Sequence, residues 1–229
     1  MKIALIDSGI GGLTLLKRLR TQYPKTDYLY FADTYAHPYG SLDKSYLKER
    51  LFSIAELLYE RRADMIILAC NTASTIALHD LKARFDIPIL GVLPKCDEPK
   101  GTLIACTPLT ARSKMVVEYK DRGATIYSNP CLATLIERYI SNLDRLRHYL
   151  TEELSRYSVE RVVLGCTHYV YLREMVQKIT GASVFDGFDD ILETLKCHSP
   201  NNGGGTLDFI FTGKKESARY LDVLERAQI

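Results

Sequence analysis

Short apolar runs, several of them β-branched, alternate along the chain with longer stretches whose apolar residues recur at helical spacing. The runs at 2–7, 27–32, 64–69, 88–92, 102–106, 124–127, 161–165, 182–185 and 207–212 are expected strands. A near-continuous apolar run of this length suits a strand buried on both faces of a parallel sheet. Helices are expected after the first run to about residue 22, then over 42–62, 72–85, 110–122, 169–179, 189–195 and 214–227, with one or two across 132–157. Strict alternation of strand and helix implies an α/β fold with mostly parallel sheets.

Two stretches break the alternation. Residues 94–101 carry two prolines, a glycine and alternating charge, and 198–205 contain Asn-Asn-Gly-Gly-Gly. Both read as linkers. They divide the chain into two lobes, one of residues 1–92 plus 206–229 and one of 93–205. The last strand and helix are too small to fold alone, so they are expected to return to the first lobe.

Composition narrows the possibilities. The 229 residues have a formal net charge of +2, which gives no reason to expect a nucleic-acid partner. No apolar run approaches the roughly 18 residues that span a bilayer. The N-terminus enters a strand-like run directly, without the pattern of a signal peptide, so the expected location is the cytoplasm. The six cysteines, at 70, 96, 106, 131, 166 and 197, form no C-x-x-C pair and no zinc spacing, and read as free thiols.

Two of those cysteines stand out. Met65-Ile66-Ile67-Leu68-Ala69-Cys70-Asn71-Thr72 and Val162-Val163-Leu164-Gly165-Cys166-Thr167-His168 are near echoes, each an apolar strand closing on a cysteine with a helix-like stretch after it. The carboxyl end of a parallel strand is where open α/β sheets bind ligands. A thiol so placed in each half suggests a facing pair of acid/base groups. Asn71 and Thr72 suit a helix start and can bond a carboxylate or amine. His168 puts a titratable imidazole two residues from Cys166.

The first strand closes on Asp7-Ser8-Gly9-Ile10-Gly11-Gly12-Leu13. This fits a tight turn into a helix whose N-terminus favours an anion. It is neither G-x-G-x-x-G nor a Walker sequence. Asp7 would repel a phosphate but could hold an ammonium group or orient a base. Pro38-Tyr39-Gly40 reads locally as turn chemistry, and Glu137 as a solvated helix face.

Taken together, DSGIGGL at 7–13, PYG at 38–40, CNTAS at 70–74 and GCTHY at 165–169 resemble the glutamate racemases of the aspartate/glutamate racemase superfamily. The order and spacing match over nearly the whole chain. The resemblance implies two pseudo-symmetric α/β lobes with the active site in the cleft between them. It also implies interconversion of L- and D-glutamate without pyridoxal phosphate, other cofactor or metal, in a cytoplasmic homodimer that supplies peptidoglycan synthesis. By resemblance, Cys70 acts on D-glutamate and Cys166 on L-glutamate. Asp7 and His168 tune the two thiols, and Glu137 assists. Ser8, Tyr39, Gly40, Asn71, Thr72, Thr107 and Thr167 match substrate-holding positions. Val170 stands where the family has Pro after GCTHY, Asn129 precedes Pro130 in place of Cys, and Thr134 replaces a proline. The segment between Gly91-Val92 and Ile104 to Thr107 is shorter than usual. Two other readings stay open at this point: a superfamily racemase for aspartate or a hydantoin, and a non-catalytic glutamate-binding regulator on the same scaffold.

Overall fold

The computed structural model describes residues 1–198 and 201–227. Ser199 and Pro200, inside the expected linker 198–205, and Gln228 and Ile229, at the end of the 206–229 range, lie outside the described residues.

In chain order the elements are β1 (Lys2–Asp7), α1 (Leu13–Gln22), β2 (Asp27–Ala32), α2 (Lys44–Glu60), β3 (Met65–Leu68), α3 (Asn71–Arg84) and β4 (Ile89–Gly91). The second half continues with β5 (Thr102–Cys106), α4 (Pro108–Ala111), α5 (Lys114–Asp121), β6 (Thr125–Ser128), α6 (Leu132–Tyr139), α7 (Arg147–Leu154) and β7 (Arg161–Gly165). A 3-10 helix (Thr167–Leu172), α8 (Arg173–Thr180), β8 (Ser183–Phe185), α9 (Phe188–Lys196), β9 (Leu207–Phe211) and α10 (Ser217–Arg226) complete it.

All pairings are parallel. The first sheet runs β4-β3-β1-β2-β9 and the second β6-β5-β7-β8. Read from the other edge, the second order is β8-β7-β5-β6. It repeats the β4-β3-β1-β2 part of the first, and β9 is the addition. The strand before Cys70 and the strand before Cys166 therefore occupy corresponding places, which is the structural origin of the echo in sequence.

Strand geometry sorts the side chains to opposite faces. Ile3, Leu5, Met65, Ile67, Tyr28 and Tyr30 enter a core on one face of the first sheet, while Ala4, Ile6, Ile66, Leu68, Leu29 and Phe31 enter the core on the other. Leu103, Ala105, Val162 and Leu164 do the same on one side of the second sheet. Its other side carries a smaller cluster around Ile104, Cys106 and Val163. Each fully buried aliphatic side chain stabilises the fold by about 1.5–3 kcal/mol. The crossing between the sheets, residues 92–101, contains no helix.

Two details differ from the simplest reading of the pattern. The stretch after Cys166 opens as a 3-10 helix, with Tyr169 N–H donating to the Cys166 carbonyl at 2.9 Å, and the α-helix begins only at Arg173. The tighter winding accompanies side chains turned toward the first half, as described below. The region 132–157 agrees with its expectation of one or two helices, holding two separated by a 3-10 turn, Leu143–Leu146. Finally, α9 lies within the 93–205 range, yet it buries Phe188, Ile191 and Leu195 in the core of the first sheet. Among the described residues no helix is long and apolar enough to cross a membrane.

Candidate active site

In each sheet the strand order reverses about a central strand, β1 or β5, and ligands of open α/β sheets bind at that switch point. Asp7 and Cys70 lie at the carboxyl ends of β1 and β3. Thr107 and Cys166 lie at the ends of β5 and β7. Cys70 (φ −138°, ψ 123°) and Cys166 (φ −150°, ψ 129°) share an extended backbone, and each immediately precedes a helical segment. Both thiols are buried and free.

The two switch points meet. Thr167 Oγ1 donates to Asp7 Oδ2 at 3.1 Å, joining the end of β7 to the end of β1. Thr72 Oγ1 lies 2.9 Å from Thr107 Oγ1 and 3.0 Å from Thr110 Oγ1, joining α3 to the loop after β5. Glu137, on α6, accepts the Ile10 N–H at 3.0 Å and holds His168 Nε2 at 2.9 Å, both through Oε1. Tyr171 donates from its hydroxyl to the Ile10 carbonyl at 2.9 Å.

Such contacts require a backbone without side chains at the interface. A Cβ on Gly9 would fall 1.8 Å from Glu137 Oε1, and one on Gly11 would fall 2.5 Å from both His168 Nδ1 and Thr167 Oγ1. The glycines of DSGIGGL therefore let the second half of the chain close on this turn.

The electrostatics are uneven across the site. Burial foremost, and then the charge of Asp7, pushes the Cys70 thiol well above its ordinary range. The backbone N–H groups of Ala73 and Thr72 pull the other way. Burial also raises Asp7 from 3.8 to about 7, although the His168 charge and the bonds from Gly9 and Thr167 favour its carboxylate. For His168, burial opposes the charge, but hydrogen bonds with Cys166 and Glu137 outweigh it and hold the imidazolium well above the usual histidine range. Burial likewise opposes ionisation of Glu137, yet the His168 hydrogen bond and charge hold it down to about 2. Half-buried His37 is pushed down to about 4 by desolvation and by His168, and is neutral at pH 7.

The raised pKa of Asp7 has a stability consequence. The folded state binds this proton more tightly than the unfolded chain, so the favourable contribution is complete below about pH 4 and is lost as pH rises through about 7. Asp7→Asn, which stays neutral, is expected to be the more stable protein at about pH 8 by on the order of 3 kcal/mol, with the gap closing toward pH 4. Urea unfolding at both ends of that range checks it. An equal difference at the two pH values, or a less stable variant at the higher one, rejects the reading.

Of the residues expected from sequence, Asp7, Cys70, Asn71, Thr72, Thr107, Thr167, Cys166, His168 and Glu137 lie at or beside this junction. Ser8 is buried in the same turn. Gly40 packs against Thr107, where a Cβ would fall 2.4 Å from the threonine side chain. Tyr39 is buried too, but its hydroxyl donates to Asp33 at 2.8 Å, and Asp33 in turn takes Arg50 and Thr212. The structure therefore assigns that hydroxyl to a polar cluster. Both side-chain polar atoms of Asn71 are buried without a hydrogen-bond partner, a state with a desolvation cost that a ligand's polar groups would relieve.

Sequence reasoning passed over His37, Tyr171 and Arg219. Arg219 on α10 donates to the Glu137 carbonyl at 2.9 Å and lies 3.6 Å from its Oε2. His37 adjoins the PYG motif, which was its available signal; nothing local marks Arg219, some eighty residues from its partner. A cavity of about 670 Å³ opens beside Glu137, Tyr171 and Arg219, and neither Cys70 nor Cys166 lines it.

Comparison with known proteins fixes the class. No family model matches the chain. A glutamate racemase of Halothermothrix orenii is 32% identical over 251 aligned positions, covering 98% of this chain and 99% of the relative. The crystal structure of glutamate racemase from Campylobacter jejuni subsp. jejuni superposes with a TM-score of 0.85 at 25% identity, covering both chains completely. The Escherichia coli glutamate racemase, solved in complex with L-glutamate and the activator UDP-MurNAc-ala, has a TM-score of 0.81 at 25% identity, covering 98% of this chain and 94% of its own. Paired α/β sheets meeting at their switch points, with similarity spread over the whole length, define an isomerase, an amino-acid racemase. The chain belongs to the glutamate racemase family.

Proposed function

We propose that this racemase interconverts L- and D-glutamate by exchanging the α-proton between two thiols, Cys70 and Cys166, with no cofactor. The observation that carries this reading is the placement of the two cysteines on corresponding strands, in matching backbone conformations, on either side of one junction. Inverting a stereocentre by proton exchange needs a base on each face of the carbon. The L-glutamate bound by the Escherichia coli relative supports glutamate as the substrate.

In this mechanism Cys166 removes the proton from L-glutamate and Cys70 delivers one to the opposite face, and the roles exchange for D-glutamate. Asp7 stands beside Cys70, and His168 relays a proton to and from Cys166 under the hold of Glu137. The developing carbanion needs fixed hydrogen-bond donors around the α-carboxylate. Asn71, with its unsatisfied buried amide, and the hydroxyls of Ser8, Thr72, Thr107 and Thr167 supply polar groups at that place. Gly40 and the backbone of Tyr39 shape the wall beside Thr107. The product D-glutamate serves peptidoglycan synthesis in the cytoplasm, and the working form is a homodimer. The relative's activator, a UDP-MurNAc derivative, supports the link to the cell wall.

The test is the reaction in deuterium oxide. Either enantiomer of glutamate, with no added cofactor, should lose optical purity and acquire solvent deuterium at Cα. Racemisation of aspartate with glutamate left unchanged would reassign the substrate. Glutamate binding without any α-proton exchange would overturn the mechanism.

A further inference from the structure

His37, Glu137 and His168 each offer a ligand atom, and these atoms all lie within 4.8 Å of one another, the one such group of three among the described residues. The separations are 2.9 Å from His168 to Glu137 and 3.7 Å from His37 to Glu137. A tetrahedral zinc ion with bonds of about 2.0–2.2 Å sets its ligands roughly 3.3 Å apart. The two separations from Glu137 are thus each within about half an ångström of that spacing. The two imidazole rings sit 5.3 Å apart at 49°, and each has a nitrogen within 4 Å of the same Glu137 oxygen.

A second observation concerns His37 alone. Its ring lies against the Ser8 backbone, but neither ring nitrogen reaches a hydrogen bond of proper geometry, and both nitrogens are buried. A buried polar group left so costs about 1–3 kcal/mol. His168 and Glu137 have a use in the proposed proton relay, and His37 has none.

We propose that His37, Glu137 and His168 form a binding site for a divalent transition-metal ion of the zinc class, and that occupancy switches the racemase off. Two imidazoles and one carboxylate suit such an ion and leave a fourth position open. On binding, the ion forms bonds to a His37 ring nitrogen, His168 Nε2 and Glu137 Oε1, and the Nε2 proton leaves to solvent. His168 is then pinned and can no longer relay a proton. Arg219 stays on the other carboxylate oxygen, and Asp7 offsets part of the added charge. The inhibitory half of this inference rests on the proton-relay reading of His168; the binding half does not.

The experiment is a cobalt(II) titration of the whole protein, followed by the ion's visible absorption. It is run in a Cys131→Ser/Cys197→Ser background, because those two thiols are exposed and could bind the ion themselves. One equivalent should bind. His37→Gln should weaken binding by at least about tenfold, as loss of one of three ligands requires. His37→Phe, which keeps a ring against His168, should do the same. Buffered zinc should inhibit the parent reversibly and each variant at least about tenfold less, measured against that variant's own metal-free rate. Equal cobalt affinity in parent and variants, or no bound cobalt in the parent, overturns the site. Zinc-free protein that binds cobalt as expected but fails to racemise glutamate would leave the site standing and overturn the proposed function instead.

Discussion

Alanine in place of either Cys70 or Cys166 is expected to lower kcat for glutamate racemisation by about a thousandfold or more in both directions, the scale at which a positioned acid or base contributes. The symmetry of the loss is the informative part. Each thiol is the base in one direction and the acid in the other, so removing one disables both directions. The two cysteines also differ in surroundings. Cys70 sits beside Asp7 and is pushed up by burial, whereas Cys166 hydrogen-bonds an imidazolium. Exchange of the α-proton in deuterium oxide separates the two. Cys70→Ala should retain slow exchange from L-glutamate without inversion, and Cys166→Ala the same from D-glutamate. A single variant that racemises at the parent rate would rule out the two-thiol mechanism.

The second large effect comes from a residue with no chemistry of its own. Gly11→Ala places a methyl group where His168 Nδ1 and Thr167 Oγ1 now lie, each 2.5 Å from the new carbon. Both must retreat by about an ångström, and a displacement of that size near reacting groups costs on the order of a hundredfold in rate. Overpacking should also cost about 1–3 kcal/mol of stability. Gly181→Ala is the control. That glycine has φ +68° and nothing within 4 Å of an added Cβ, so the change should destabilise through backbone strain and leave kcat unaltered. Chemical denaturation and steady-state rates on the two variants distinguish the cases. A Gly11→Ala enzyme with the parent kcat would show that the turn does not position His168.

Much of the architecture was legible because strands buried on both faces leave an unmistakable record. Residues 3–6 and 65–69 are continuous apolar runs, since helices cover the first sheet on both sides. The 3-10 segment after Cys166 was not legible. Its sequence, THYVYL, suits either winding, and the tighter one comes with Thr167 and His168 bonded to residues far away in the chain. Nor was the attachment of α9 to the first core, because the periodicity of Phe188, Ile191 and Leu195 shows that one helix face is buried but not against what. Glu137 illustrates the same limit at the site. On its own helix it looks like a solvated glutamate; across the junction it is bonded to Ile10 and His168.

The amino-acid sequence by itself determined the alternating α/β plan, the positions of Cys70 and Cys166 at the ends of strands, and the glycine-rich turn after Asp7. These follow from local periodicity and backbone sterics, which act over a few residues. The tertiary structure decided that the two strand ends face one another, that Glu137 grips His168, that the Tyr39 hydroxyl belongs to Asp33, and that the ring nitrogens of His37 are left buried beside them. Those outcomes depend on which surfaces meet when the two sheets close, and on the burial that then sets the charge of each group.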